Sequence, residues 1–448
     1  MARIDQTPFE LDIVSLGHDG RGVARRPDGD AQAGKTVFVS GALPGERVMA
    51  KQTAKSRHFD EAITVEVLSA SADRVQPRCP HFGTCGGCVL QHLAEDKQIQ
   101  SKQQVLIDNL QRIGHVQPGA LLPPLTDAAW GYRRKGRLSV RRVEKKDKTL
   151  VGFREADPRF VADLSVCYTV IPQIGERIGA IAALVDALDG RRDIPQIEFI
   201  AGDATVELVF RLLLPLSDRD RETLSAFARA QDFAIFLQPG GIDSVQALWP
   251  DDSMQAPAPL SFALPRWNIE LKFRPLDFIQ VNAGLNQHMI ARTLELLDVQ
   301  PDDRVLDLFC GLGNFTLPLA RVAREVVGVE GEAGLVARAR ENAAHNNLAN
   351  VQFHAADLAQ DLSGLSWMRA GFDKLLLDPP RSGADAVLKQ LSLKGLKRIV
   401  YVSCHPGSLA RDAGYLVNDR GWKLKTAGVM DMFPHTAHVE SIAVFEPK

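Results

Sequence analysis

From residue 276 to the end, short apolar runs alternate with longer helical patterns, and this alternation constrains the fold more than anything else in the chain. The runs at 304–308, 325–329, 374–377 and 398–402 are almost continuously apolar rather than apolar at every second residue. Such strands are covered on both faces, as in a parallel sheet flanked by helices. The segment therefore reads as α/β and doubly wound, that is, Rossmann-like. Segments 422–426 and 440–445 read as a closing antiparallel pair.

The chain of 448 residues has room for two or three domains. Its 45% apolar and 24% charged residues exclude a disordered chain and a collagen-like repeat. The net charge is −2, so any surface for nucleic acid must be local. No apolar run approaches the roughly 18 residues that span a bilayer. The opening MARIDQTPFELD has neither the apolar core nor the cleavage pattern of a leader. A cytoplasmic location is expected.

Residues 1–70 carry strand patterns at 9–15, 35–40, 46–52 and 61–68, separated by turn signals such as Pro27-Asp28-Gly29-Asp30 and Pro44-Gly45. A small OB-like barrel of five short strands fits them. Residues 71–275 read as an α+β middle domain. It has a helix over 94–113 and strands at 197–200, 205–212, 233–238 and 268–273. Between 131 and 148, nine Lys or Arg stand against two acidic residues, a local charge of +7. Such a stretch can neutralise phosphates, with Trp130 and Tyr132 beside it for base stacking; the alternative is a solvated charged hairpin. Residues 276–448 form the third domain.

Within that domain, Asp307-Leu-Phe309-Cys310-Gly311-Leu-Gly313-Asn314 takes a strand into a glycine turn and a helix. Glycine lets backbone approach a ligand at the carboxyl end of a strand. Nineteen residues after Gly311 the next strand ends in Glu330, a carboxylate suited to ribose hydroxyls. A dinucleotide site would want a third glycine where Thr316 stands, so a nucleoside without pyrophosphate, such as S-adenosylmethionine, suits better. Asp357 follows a third strand and can reach an adenine amino group, or simply cap a helix.

Asp378-Pro379-Pro380-Arg381 follows the 374–377 strand, and the prolines stiffen the chain at the sheet edge. Cys404 ends the next strand, beside His405 and ahead of a helix N-terminus, features that lower a thiol pKa. The alternative is an inert buried thiol. Glu440 heads the last strand and serves as a general base if it faces the cleft. His435 and His438 read as structural.

Cys79, Cys85 and Cys88 lie in one glycine-rich loop. Cys167 is the spare fourth thiol, since Cys310 and Cys404 belong to the cofactor domain. Zinc and a [4Fe–4S] cluster both accept four thiolates. A C-x5-C-x2-C group plus one distant Cys favours iron–sulfur, with His81 as the rival fourth ligand for zinc.

The segments Phe278-Ile-Gln280-Val-Asn282, Asp307 to Phe315, Asp378-Pro-Pro-Arg381, Ser403-Cys404 and His435-Thr-Ala-His438-Val-Glu440, in that order, resemble the uracil-C5 RNA methyltransferase family. The resemblance implies methyl transfer from S-adenosylmethionine, with Cys404 as nucleophile and Glu440 as base. It implies Gln280, Phe309, Asn314, Glu330, Asp357 and Asp378 around the cofactor and base, and a [4Fe–4S] cluster on Cys79, Cys85, Cys88 and Cys167. His405 departs from the Asn usual after the nucleophile. Residues 1–70 resemble a TRAM RNA-binding domain. Together with the cysteine pattern this points to the 23S ribosomal RNA branch, and within it to uracil 1939. Another uracil of ribosomal or transfer RNA is the first alternative. Amino-group methylation is the second, disfavoured by Cys404 and by Arg381 where amino-group enzymes carry an aromatic. A monomer is expected, with no protein partner inferred.

Overall fold

The computed structural model describes residues 7–30, 32–250, 259–369 and 371–448; the first six residues of the segment read for a leader lie outside it. The chain forms two compact units. The first comprises Met1–Val105, Phe153–Ala162 and Phe433–His438; the second Leu106–Gly152, Asp163–Met432 and Val439–Lys448.

The first unit is built on a closed barrel of β1 (Phe9–Leu16), β2 (Gly22–Arg25), β3 (Thr36–Ser40), β4 (Arg47–Lys55) and β5 (Phe59–Ser69). Its order is β1-β2-β3-β5-β4, with β3 and β5 parallel, which is OB-like. Alternate residues, among them Leu11, Ile13, Val37, Val39 and Val48, fill the interior. Asp60 is fully buried, and Arg26 at 3.0 Å and Lys35 at 2.7 Å compensate its charge. β2 has only four residues, too few to leave a readable pattern. The helix α1 (Glu95–Arg112) matches its expected span within a residue at each end.

Among the described residues, the second unit holds a six-stranded sheet, a two-stranded sheet and an eight-stranded sheet. The short strand β6 (Ala120–Leu121) comes first. Then β7 (Lys135–Val143) and β8 (Lys148–Gly152) form a hairpin. Helices α2 (Pro172–Gly175) and α3 (Ile178–Ala187) follow, then β9 (Gln196–Ala201) and β10 (Val206–Arg211). Helix α4 (Asp218–Gln231) crosses over to β11 (Ala234–Gln238), which runs parallel to β10 and pairs with β12 (Gln246–Trp249). The sheet order is β12-β11-β10-β9-β7-β8.

A second hairpin, β13 (Ser261–Leu264) and β14 (Ile269–Lys272), precedes α5 (Ala283–Leu297). After α5 come β15 (Arg304–Leu308), α6 (Thr316–Ala320), β16 (Glu325–Glu330), α7 (Ala333–His345) and β17 (Val351–Ala355). The chain ends with β18 (Lys374–Leu377), α8 (Asp385–Gln390), β19 (Arg398–Ser403), α9 (Pro406–Gly414), β20 (Trp422–Met430) and β21 (Glu440–Pro447). Leu306, Val327, Leu376 and Val400 are buried, as continuous apolar runs require.

The large sheet runs β17-β16-β15-β18-β19-β21-β20-β6. β17 through β19 are mutually parallel, and β21 inserts antiparallel between β19 and β20. Chain order reverses between β15 and β18, and a crevice opens at the carboxyl ends of strands at such a switch point. Asn342 of α7 and Asn346, which caps its C-terminus, clamp β14 with reciprocal amide bonds of 2.7–3.0 Å to Glu270 and Lys272.

Candidate active site

Phe309 leaves β15 in the left-handed region, at φ +67°, and Gly311 and Gly313 follow at +54° and +92°. A left-handed phenylalanine is strained, and such strain clusters at functional sites. The turn is pinned: the Phe309 and Cys310 N–H groups donate to the Val329 carbonyl at 2.8 and 3.1 Å. Glu330 ends β16 and accepts from Gly311 N–H at 3.1 Å and Gly331 N–H at 2.7 Å. A Cβ on Gly311 would meet nothing within 4 Å, so the turn leaves open space beside that carboxylate. A nucleoside with free ribose hydroxyls fits this arrangement.

Asn314 and Asn286 exchange amide hydrogen bonds at 2.9 and 3.0 Å, tying the glycine turn to α5. Sequence reasoning missed Asn286. Its signal was an asparagine inside a helix, where that residue is disfavoured unless its side chain has a partner to hold. Asp307 was quoted only as part of the motif. Its Oδ2 accepts from Thr316 at 2.5 Å while its Oδ1 is buried with no partner among the described residues. Burial lifts this carboxyl to about 7. Asp357 is exposed, and its Oδ1 accepts from Ala359 N–H at 3.0 Å in a local turn.

Asp378 follows β18 directly. It is half-buried by surface, yet enough protein surrounds its carboxyl that desolvation lifts it to about 7. Its loop is fastened from behind: Asp412 of α9 accepts from Ala384 N–H and Tyr401 O–H, each at 2.7 Å.

Ser403 and Ser441 are the last registered pair of β19 and β21. Cys404 directly follows Ser403, and Glu440 begins β21 directly before Ser441. The expected lowering of the thiol pKa is overturned. Desolvation, then the charges of Glu440 and Asp378, push Cys404 up to about 11 against the opposing pull of Arg381. His405 serves the following helix instead, where its Nδ1 accepts from Ser408 N–H at 3.1 Å and caps α9. That is an acceptor role an Asn side chain also fills. Gln280 lies before α5, and its carbonyl accepts from Arg134 Nε at 3.0 Å.

Gly83 turns the cysteine loop in the left-handed region, at φ +86°. Gly86 packs against the Glu155 carbonyl, which an added Cβ would meet at 2.8 Å, and Gly87 N–H donates to Cys85 Sγ at 3.4 Å. None of the six cysteines is in a disulfide. Cys167 belongs to the second unit, with Sγ 3.2 Å from Thr169 Oγ1. Among the described residues, no three His, Cys, Asp or Glu side chains form a group that could hold a metal ion. Soft thiolates with an N–H donated to sulfur are nonetheless the donor chemistry an iron–sulfur centre takes.

Three cations of the basic stretch at 131–148 are paired with acidic side chains outside it. Arg137 pairs with Glu198 at 3.1 Å, Arg142 with Asp186 at 2.8 Å and Lys148 with Asp163 at 2.8 Å. Arg134 is buried, and Lys135 donates to the Asp277 carbonyl. Among the described residues, no helix is long and apolar enough to cross a membrane.

Switch point, glycine turn, edge carboxylate and strand-end thiol define a Rossmann-like methyltransferase domain. The family model described as tRNA (Uracil-5-)-methyltransferase matches residues 261–448. Two relatives, each named 23S rRNA (uracil(1939)-C(5))-methyltransferase RlmD, match the whole chain. The one from Xanthomonas campestris pv. campestris (strain 8004) is 72% identical over 446 residues, covering 100% of this chain and 99% of its own. The one from Stenotrophomonas maltophilia (strain K279a) is 69% identical over 447 residues, with the same coverage. The chain belongs to this uracil-C5 RNA methyltransferase family. The fold is shared with the Pyrococcus abyssi tRNA (uracil-54, C5)-methyltransferase, solved in complex with S-adenosyl-L-homocysteine. That structure has a TM-score of 0.71 and 22% identity, and the match covers 98% of this chain and 100% of that one.

Proposed function

We propose that this enzyme methylates C5 of a uracil in 23S ribosomal RNA, at position 1939, using S-adenosylmethionine. The observation that carries the reading is Cys404 at the end of β19, within reach of the charges of Glu440 and Asp378 at the edge of the sheet. C5 of uracil is a poor nucleophile. Cys404 gives its thiol proton to solvent, its Sγ adds to C6, and the C5–C6 π pair moves to C5 as an enolate. Bound S-adenosylmethionine supplies the methyl group that C5 attacks. Glu440 then takes the C5 proton, the C6–S bond breaks and the double bond re-forms. Asp378, partly in its acid form near neutrality, can donate a hydrogen bond to a uracil carbonyl.

Gln280, Phe309, Asn314, Glu330, Asp357 and Asp378 line the cofactor and base in this reading. The left-handed Phe309 turn and the open side of Gly311 support it. The base must leave its stack to meet Cys404, so flipping is part of the mechanism. Residues 1–70 act as a TRAM domain, 71–275 as the middle domain and 276–448 as the methyltransferase, in a cytoplasmic monomer. Cys79, Cys85, Cys88 and Cys167 hold a [4Fe–4S] cluster that serves structure and RNA positioning, since methyl transfer needs no electrons.

The test is product analysis. Purified protein, labelled S-adenosylmethionine and a 23S RNA fragment around the site are incubated, and the digested nucleosides are separated by mass. Label in 5-methyluridine supports the reading. Label in a methylated amino group overturns it.

A further inference from the structure

The second unit contains a cavity of about 600 Å³, apart from the Cys404 cleft, near the backbone that carries Gln280. Trp130, Tyr132 and Phe233 give it aromatic wall, and Asn282 and Arg134 line it as well. Arg134 is only 4% exposed and Asn282 only 2%. Arg134 Nη2 and Asn282 Nδ2 are both buried without a hydrogen-bond partner among the described residues. Leaving a buried donor unpaired is costly, more so on a charged group. Two such donors lining one cavity point to a ligand that brings acceptors.

The rest of each side chain is already fixed. Arg134 Nε holds the Gln280 carbonyl, and its guanidinium lies over the Phe262 ring at 4.4 Å. Asn282 Oδ1 caps α5 through Leu285 N–H at 3.1 Å. The free donors are therefore presented in set positions. Charge selects among acceptors. Asp127, Asp203 and Asp232 line the cavity against two guanidinia, Arg134 and Arg177, so a phosphate is disfavoured. A neutral heteroaromatic ring fits: its carbonyl or ring-nitrogen edge meets the two donors, its amino or imino hydrogens meet the carboxylates, and its face meets Trp130. Unstacked RNA bases are bound in this way. Asn282 is two residues from Gln280, at most about 7 Å of chain. A nucleotide close to the target uracil can reach it.

We propose that this cavity receives a second nucleobase of the RNA substrate, one that flanks the methylated uracil. The proposal rests on the uracil-C5 reading above. Because Arg134 touches both the cavity and Gln280, filling the cavity also steadies the segment beside the reacting base.

The test is equilibrium binding of the full-length protein to a fluorescent 23S RNA hairpin carrying the target. Flanking nucleotides are made abasic one at a time, and 5-methyluridine is measured in the same samples. Asn282→Asp keeps the helix cap and replaces the free donor with an acceptor. Ala204→Trp fills the cavity from an exposed turn residue that lines it. One abasic position should weaken binding to the unmodified protein by roughly 5- to 150-fold, the range for one stacked base. Both variants should weaken binding to intact RNA similarly, yet lose little more on that abasic RNA. Equal losses on every RNA, or no loss, would overturn the proposal. Coupling without 5-methyluridine would leave the cavity assignment standing and sink the uracil-C5 reading instead.

Discussion

Cys404 lies within reach of the Glu440 charge: it directly follows Ser403, the last residue of β19, and Glu440 begins β21 beside Ser441, which pairs with Ser403. This placement sets the electrostatics of the thiol. A carboxylate beside a thiol opposes the thiolate, and Cys404 is held up to about 11 by desolvation, Glu440 and Asp378. In the free enzyme Cys404 is thus held as the thiol. Alkylation of Cys404 should speed up about tenfold per pH unit below that value. Glu440→Gln removes a negative neighbour and should lower the pKa, so Cys404 labels faster at a given pH. Iodoacetamide kinetics followed by mass spectrometry checks both, and no change in Glu440→Gln would contradict the arrangement.

Asp378 should make stability depend on pH. Its carboxyl titrates near 3.8 when exposed and near 7 in the fold, so between these values the folded state binds more protons. Stability from this group is therefore present at low pH and is lost as pH rises from about 4 to about 7, by at most about 1.4 kcal/mol per pH unit. Asp378→Asn should flatten that slope. Denaturant titrations across this range, with wild type and variant compared, measure it.

The loop bearing Asp378 depends on Asp412, which accepts from Tyr401 and Ala384. Asp412→Asn puts an amide where two donors converge and should cost about 1–3 kcal/mol. Activity should fall along with the unfolding midpoint, because the Asp378–Arg381 segment loses its anchor. A variant with unchanged stability and kcat would show the network to be dispensable.

His405→Asn should leave stability within about 0.5 kcal/mol, since either side chain can accept from Ser408 N–H, whereas His405→Ala should cost about 1 kcal/mol. Chemical denaturation of the two variants separates capping from any direct role at Cys404.

The order and class of the elements were legible because two signals were local: continuous apolar runs for β15, β16, β18 and β19, and alternation for the barrel. Asp378, Cys404 and Glu440 were legible because each follows or begins a strand. What stayed hidden was pairwise. The thiol pKa depends on which carboxylates stand opposite, and sequence showed only His405 next door. The +7 of 131–148 was visible, but its partners Asp163, Asp186 and Glu198 are distant in the chain. Asn286 announced itself only as a polar residue in a helix.

Cys79→Ser or Cys167→Ser should strip iron from protein purified without oxygen, and with it the visible absorbance that dithionite bleaches. Full iron content in either variant would remove that residue from the proposed cluster.

The central claim is covalent attack by Cys404, and 5-fluorouracil at the target position tests it most directly. Fluorine cannot leave C5 as a proton, so Glu440 has nothing to remove after methyl transfer. With S-adenosylmethionine present, a denaturation-resistant complex should form, and mass spectrometry should map methylated fluorouridine to Cys404. Methylation of unmodified RNA with no trapped complex on the fluorinated RNA would contradict the account.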